Sequence, residues 1–135
     1  MSLFQPLFAG GRIESLRKQS VELSDALGKQ PSQEEMTQLE KVLEELCELG
    51  YWPAHKSLAN LCGKRIWAAL NWGDSDVESA SQTTRSEIME FAKSGLLHLS
   101  QFCLGEGRKM DPETWADVER YRLEFERYIE LVMHE

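Results

Sequence analysis

The side chains best able to ligate a metal, pass a proton or attack a substrate are three histidines, His55, His98 and His134, and three cysteines, Cys47, Cys62 and Cys103. No histidine stands three residues after a glutamate, so the Glu-x-x-His element of carboxylate-bridged helical bundles is missing. There is no His-Glu-x-x-His run and no cysteine pair at zinc spacing. A thiol nucleophile needs a base within hydrogen-bond reach. His98 and Cys103 fall on different faces of a helix. His55 and Cys62 share a face but stand two turns apart, about 10 Å along the axis. Neither pair forms a local reactive couple.

The carboxylates point the same way. Glu40, Glu44 and Glu48 recur every four residues, which describes a solvated helix face of like charges. Asp74-Ser-Asp76 opens like a calcium loop, but Ser79 stands where the loop needs Gly and Arg85 where it needs its last carboxylate. No glycine-rich phosphate loop occurs. The sequence therefore predicts no catalytic residue, no metal ligand and no cofactor.

Tryptophan is the more informative residue type. Trp52, Trp67 and Trp72 crowd into one short stretch, beside Lys64 and Arg65. Trp is large and rarely needed so densely in a small core. Either the three wedge the joints between helices, or part of the cluster is an exposed anchor for a partner. Trp52, Lys64, Arg65, Trp67 and Trp72 are accordingly the candidate partner-binding residues.

The 135 residues suit one domain, and 41% apolar content suits one ordinary core. The net charge of −8 makes nucleic acid and anionic membrane unfavourable general partners. No stretch approaches the roughly 20 apolar residues of a membrane span. The first ten residues lack the basic lead of an export signal. Three unpaired cysteines argue against a disulfide framework. The cytoplasm is the expected compartment.

These residues must be carried on helices, because apolar side chains recur every three and four positions throughout and no alternating pattern appears. Residues 1–11 read as a sticky arm closed by Gly10-Gly11. A first helix is expected over 12–27, with Gly28 in the left-handed position past its end. Ser32 and Glu35 form a capping box that starts a second helix, closed by Gly50. Pro53 opens a third at its first turn. Gly63 ends or bends that helix, and 64–71 make a short one of their own. Residues 73–83 are polar and read as a flexible linker between two helical halves. A helix over 84–104 contains Gly95, which implies either a break or a close helix contact. Asp111 and Pro112 start a last helix that nothing in the sequence stops. The expectation is all-α: about six helices in a compact bundle or a short stack of helical hairpins.

The run Glu48-Leu-Gly-Tyr-Trp-Pro-Ala-His-Lys-Ser-Leu-Ala-Asn-Leu61 resembles the junction of helical-hairpin repeats of the tetratricopeptide and Sel-one-like superfamily, through Gly50, Tyr51, Ala54, Leu58 and Ala59. A fainter copy starts at Gly95 and continues through Leu99, Phe102, Gly105, Gly107 and Asp111, but its 45-residue offset exceeds the usual repeat. The resemblance implies an adaptor role and carries over no catalytic residue. Residues 53–72 also resemble a helix-turn-helix, with Ala59 in the first helix and Gly63 four residues on at the turn, Lys64 and Arg65 near phosphates, and Asn71 as the one good base reader. The reading that ranks first is a protein-interaction module. It docks another protein in an apolar, Trp-bearing groove with an acidic rim, and pairs as a homodimer through the arm and the last helix. The alternative is a small DNA-binding regulator.

Overall fold

The computed structural model describes residues 5–134, with side chains from 10 to 134. The chain forms five α-helices: α1 (Gln5–Ala26), α2 (Gln33–Glu48), α3 (Pro53–Ala69), α4 (Gln82–Glu106) and α5 (Pro112–Met133). Short 3-10 turns follow α3 (Asn71–Gly73) and α4 (Gly107–Lys109). No strand occurs among the described residues.

The helix starts follow from side-chain chemistry. Ser32 accepts a hydrogen bond from the Glu35 N–H at 3.1 Å, and the Glu35 carboxylate accepts from the Ser32 N–H at 3.0 Å. Asp111 accepts from the Thr114 N–H at 2.7 Å, with Pro112 in the first turn. Each bond satisfies an N–H that the helix itself leaves without a partner. Ser81 caps α4 in the same way, so the helix begins at Gln82, two positions before the expected start.

Three boundaries differ from the sequence expectation. The arm over 1–11 lies outside the described residues as far as 4; from Gln5 onward the chain is helical and passes straight through Gly10 and Gly11. Gly50, not Gly28, is the left-handed glycine at a helix end, with φ +85°. Most consequentially, α3 does not break at Gly63 but runs unbroken from Pro53 to Ala69. That continuity gives five helices in place of about six, and the two-helix arrangement needed for a helix-turn-helix over 53–72 is not formed.

The physical reason is that α3 is buried on two faces. Ala54, Leu58 and Leu61 pack into one apolar cluster with Leu16 of α1 and Met36, Leu39, Val42, Leu43 and Leu46 of α2. Ala59, Cys62, Ile66 and Leu70 pack into a second cluster with Ile88, Ala92, Leu99 and Phe102 of α4 and Val118 and Phe125 of α5. A glycine costs a helix interior about 1 kcal/mol, far less than burial of several aliphatic side chains contributes. Gly95 makes the close contact rather than the break: it is buried in α4, and a Cβ there would overlap the Phe125 ring of α5. Residues 73–83, expected as a flexible linker, place Val77 in the α3–α4–α5 cluster, 4% exposed. The Arg85 Nε donates to the Val77 carbonyl at 3.1 Å. Each helix packs mainly on the next in sequence; among the described residues α1 rests mainly on α2, and α5 touches α3 only lightly.

Candidate functional site

The third face of α3 is what the two clusters leave over. Lys56, Asn60, Lys64 and Trp67 follow at spacings of four, four and three, which is one stripe of a 3.6-residue helix. Opposite them, Asp117, Tyr121, Glu124 and Tyr128 form the matching stripe of α5. α5 leans mainly on α4 and touches α3 only lightly, and a groove lies between the two stripes. They are tied together at one end, where the Asn60 amide donates to the Tyr121 hydroxyl at 2.9 Å and Lys56 Nζ pairs with Asp117 at 3.3 Å.

Three cavities adjoin one another here, of about 310, 390 and 350 Å³: the first opens between α3 and the residues Ser20, Ser24, Leu39 and Leu43 of α1 and α2, the second between α3 and α5, and the third between α5 and the turn after α3. The first shares Asn60, Lys64 and Tyr121 with the second, and the second shares Trp67 and Glu124 with the third. Val21 of α1 walls the first cavity and Trp72 the second. Gly63, whose missing side chain leaves open space, forms part of the floor.

Trp67 is 49% exposed although its ring lies over Gly73, where a Cβ would overlap it. Gly73 has φ +97°, a conformation that suits glycine. The two residues before it, Asn71 and Trp72, also have positive φ, 51° and 56°. For a residue as bulky as Trp72 the left-handed region costs about 1–2 kcal/mol, and such strain collects where a side chain has to be presented in one direction.

The structure thus brings Lys64, Trp67 and Trp72 to one groove and separates Trp52 and Arg65 from it. Trp52 sits at the N-terminal end of α3, its indole over Gly105 of α4. Arg65 points the other way and is buried, 9% exposed. Its guanidinium donates to Gln33 at 2.9 Å, Thr37 at 3.2 Å and Glu40 at 3.4 Å on α2, while Nε has no acceptor. It cannot also reach a phosphate, so Arg65 is corrected from a binding residue to an internal strut. The expected acidic rim is also corrected. Lys29, Lys56, Lys64 and Arg127 line the cavities beside Asp76 and Glu124, a rim of mixed sign, and Lys29 and Lys64 have no ion pair among the described residues.

The thiols are poor nucleophiles. Burial, then Glu44 and Glu48, push Cys47 up to about 11. Burial likewise raises Cys62 and Cys103 above the ordinary thiol value. Among the described residues no group of three His, Cys, Asp or Glu could hold a metal.

Sequence reasoning missed one pair. His55 of α3 and His98 of α4 bring their Nδ1 atoms to 3.0 Å, with ring centroids 5.3 Å apart. The Trp52 ring lies 5.6 Å from His55. The two histidines are 43 residues apart, so only the packing of α3 on α4 could reveal them.

No known protein family, characterised protein or solved structure matches this chain.

Proposed function

We propose that the protein is a non-catalytic protein-interaction module of the cytoplasm that docks an acidic, apolar-anchored segment of another protein in the groove between α3 and α5. The observation that carries this reading is the convergence of Lys64, Trp67 and Trp72 on one open groove. Interface anchors are enriched in exposed Trp backed by firm packing, and Trp67 on Gly73 has that form. Charge favours that occupant at the second cavity: Lys29 and Lys64, without an ion pair among the described residues, gather there beside Glu124 on a chain of net charge −8, so an acidic segment is better received there than elsewhere. From Lys56 to Leu70 the groove runs about 21 Å, the length of roughly four helical turns of a partner. The adaptor role implied by the repeat resemblance points in the same direction. No helix among the described residues is long and apolar enough to cross a membrane. A homodimer belongs to the reading on the sequence argument alone, and light scattering during gel filtration decides it.

The test is capture from the native host with three baits: the unaltered chain, Lys64→Glu/Trp67→Ala, and Leu97→Ala on the outer face of α4. A partner retained by the first and third and weakened about thirtyfold or more by the second supports the groove, since loss of a Trp anchor costs about 2 kcal/mol or more. A set of partners that all survive Lys64→Glu/Trp67→Ala refutes it.

A further inference from the structure

This fold repeatedly lays an aromatic ring on a glycine. In α4 the Phe125 ring of α5 lies on Gly95 and the Trp52 indole lies on Gly105, each where a Cβ would overlap ring carbons. In the turn after α3 the Trp67 ring lies on Gly73 in the same way. The reason is steric: a missing side chain lets a flat ring come close to the backbone and bury its surface there. Gly63 lies in the interior of α3, where a glycine weakens the helix, yet nothing stands within 4 Å of the position its Cβ would take. It shares one face of α3 with Asn60, Lys64 and Trp67 and lines the second cavity, of about 390 Å³. Gly10 and Gly11, the other glycines within an α-helix that carry no ring, are exposed and line none of the three cavities.

The walls around this recess come from several segments. Trp67 of α3, Trp72 of the turn after it and Tyr121 of α5 make it aromatic. The Asn60 amide donates to the Tyr121 hydroxyl at 2.9 Å and so holds that ring in place. Lys64 of α3 and Lys29 of the α1–α2 connection bring positive charge, and Glu124 brings negative charge from α5.

We propose that Gly63 sets the specificity of the groove: the docked segment lays an aromatic side chain over the Gly63 backbone, among Trp67, Trp72 and Tyr121, with acidic neighbours of that residue on Lys29 and Lys64. This rests on the docking reading and adds to it the identity of the anchor. Rings packed offset or edge to face gain attraction beyond the area they bury, which a branched aliphatic anchor lacks. A branched side chain also cannot lie flat on a backbone. The acids fall on the side of α3 and the α1–α2 connection because Glu124 repels them from α5, which gives the segment one polarity across the groove. Position 63 then trades stability for recognition: a methyl there strengthens the helix and lifts the ring off its seat.

The test titrates the full chain with fluorescein-labelled synthetic peptides of roughly fourteen residues, the length of four helical turns, followed by anisotropy. One peptide carries a single phenylalanine among glutamates, a second has leucine in its place, and a third keeps the phenylalanine among glutamines. The first should bind about tenfold or more tighter than either of the others. Gly63→Ala should raise Tm by about 3–4 °C and yet weaken the first peptide about threefold or more. Gly63→Leu should weaken it about tenfold or more, and both variants should leave the leucine peptide within about twofold. Equal affinity for the phenylalanine and leucine peptides overturns the aromatic anchor and leaves the docking reading standing. Undiminished binding of the first peptide to Gly63→Leu overturns the role of Gly63. Where Gly63→Leu loses its helical circular dichroism, Gly63→Ala decides alone. Binding by none of the three peptides overturns the proposal, while the docking reading then stands or falls on capture from the host.

Discussion

The same substitution, glycine to alanine, should act with opposite sign at two helix interiors of this protein. Gly63 lies well inside α3, and a Cβ there meets nothing within 4 Å. Gly63→Ala therefore gains the helix-propensity difference alone, about 1 kcal/mol of stability. Gly95 lies inside α4, and a Cβ there would strike several carbons of the Phe125 ring, itself 2% exposed and pinned in the α3–α4–α5 cluster. Overpacking a core costs about 1–3 kcal/mol, against the same propensity gain of about 1 kcal/mol. Gly95→Ala should therefore be neutral to destabilising by about 2 kcal/mol. For 135 residues, an unfolding entropy of about 2.1 cal/mol/K per residue makes 1 kcal/mol worth about 3.5 °C in Tm. Thermal melts of the two variants should thus separate by about 4–10 °C, with Gly63→Ala above the parent and Gly95→Ala at or below it. Phe125→Leu is the control. It costs stability by itself but makes room, so that Gly95→Ala in that background should be less harmful than in the parent, a non-additivity of about 1 kcal/mol or more. Equal stabilisation by both single variants would refute the claim that α4 and α5 meet in van der Waals contact at Gly95.

Other outcomes follow from the same structure. Arg65→Ala should lower stability by about 2–3 kcal/mol in urea unfolding, because it strips the donor from Gln33, Thr37 and Glu40 and leaves a gap over Phe91, whereas Lys64→Ala should change stability by less than about 0.5 kcal/mol. Ser32→Ala should cost about 1 kcal/mol through loss of the capping box, read as a lower urea midpoint with an unchanged slope. Stability should fall as the pH is lowered from about 6.5 toward 5, since the folded chain depresses the pKa of His55 and His98 and the unfolded chain takes up protons first. The paired carboxylates whose pKa is lowered, Glu45, Asp76, Asp111 and Glu119, act only below that window, so His55→Gln/His98→Gln should flatten the urea midpoint between pH 5 and 6.5.

What the sequence made legible was local hydrogen-bond chemistry. Ser32 with Glu35, Pro53, and Asp111 with Pro112 each mark a helix start within four residues, and each start is where the structure has it. Gly95 was readable to the point of a choice between break and contact, and only the neighbouring helix could decide it. The failures share one cause. The break expected at Gly63 ignores the two apolar clusters that hold α3 straight from opposite sides. Arg65 reads as surface beside Lys64, yet one residue is a turn of 100° on a helix, and that rotation carries it from the groove to α2. Lys29 joins Lys56 and Lys64 only through the packing of α1, α2 and α3, so the sign of the groove was not visible along the chain. His55 and His98 meet for the same non-local reason.

That α1 rests mainly on α2 sets an order for how the molecule loosens. Detaching α1 uncovers Leu16 and the outer side of α2 but leaves the α3–α4–α5 cluster intact. Amide protons of α1 should therefore exchange with solvent sooner than those of α3 and α4, whose release requires the whole molecule to open. Val21 of α1 walls the first cavity, so a segment lodged there would clasp the most readily shed helix and slow its exchange without touching the slowest amides. Occupancy of the groove would be written first in the protection of the least anchored part of the chain.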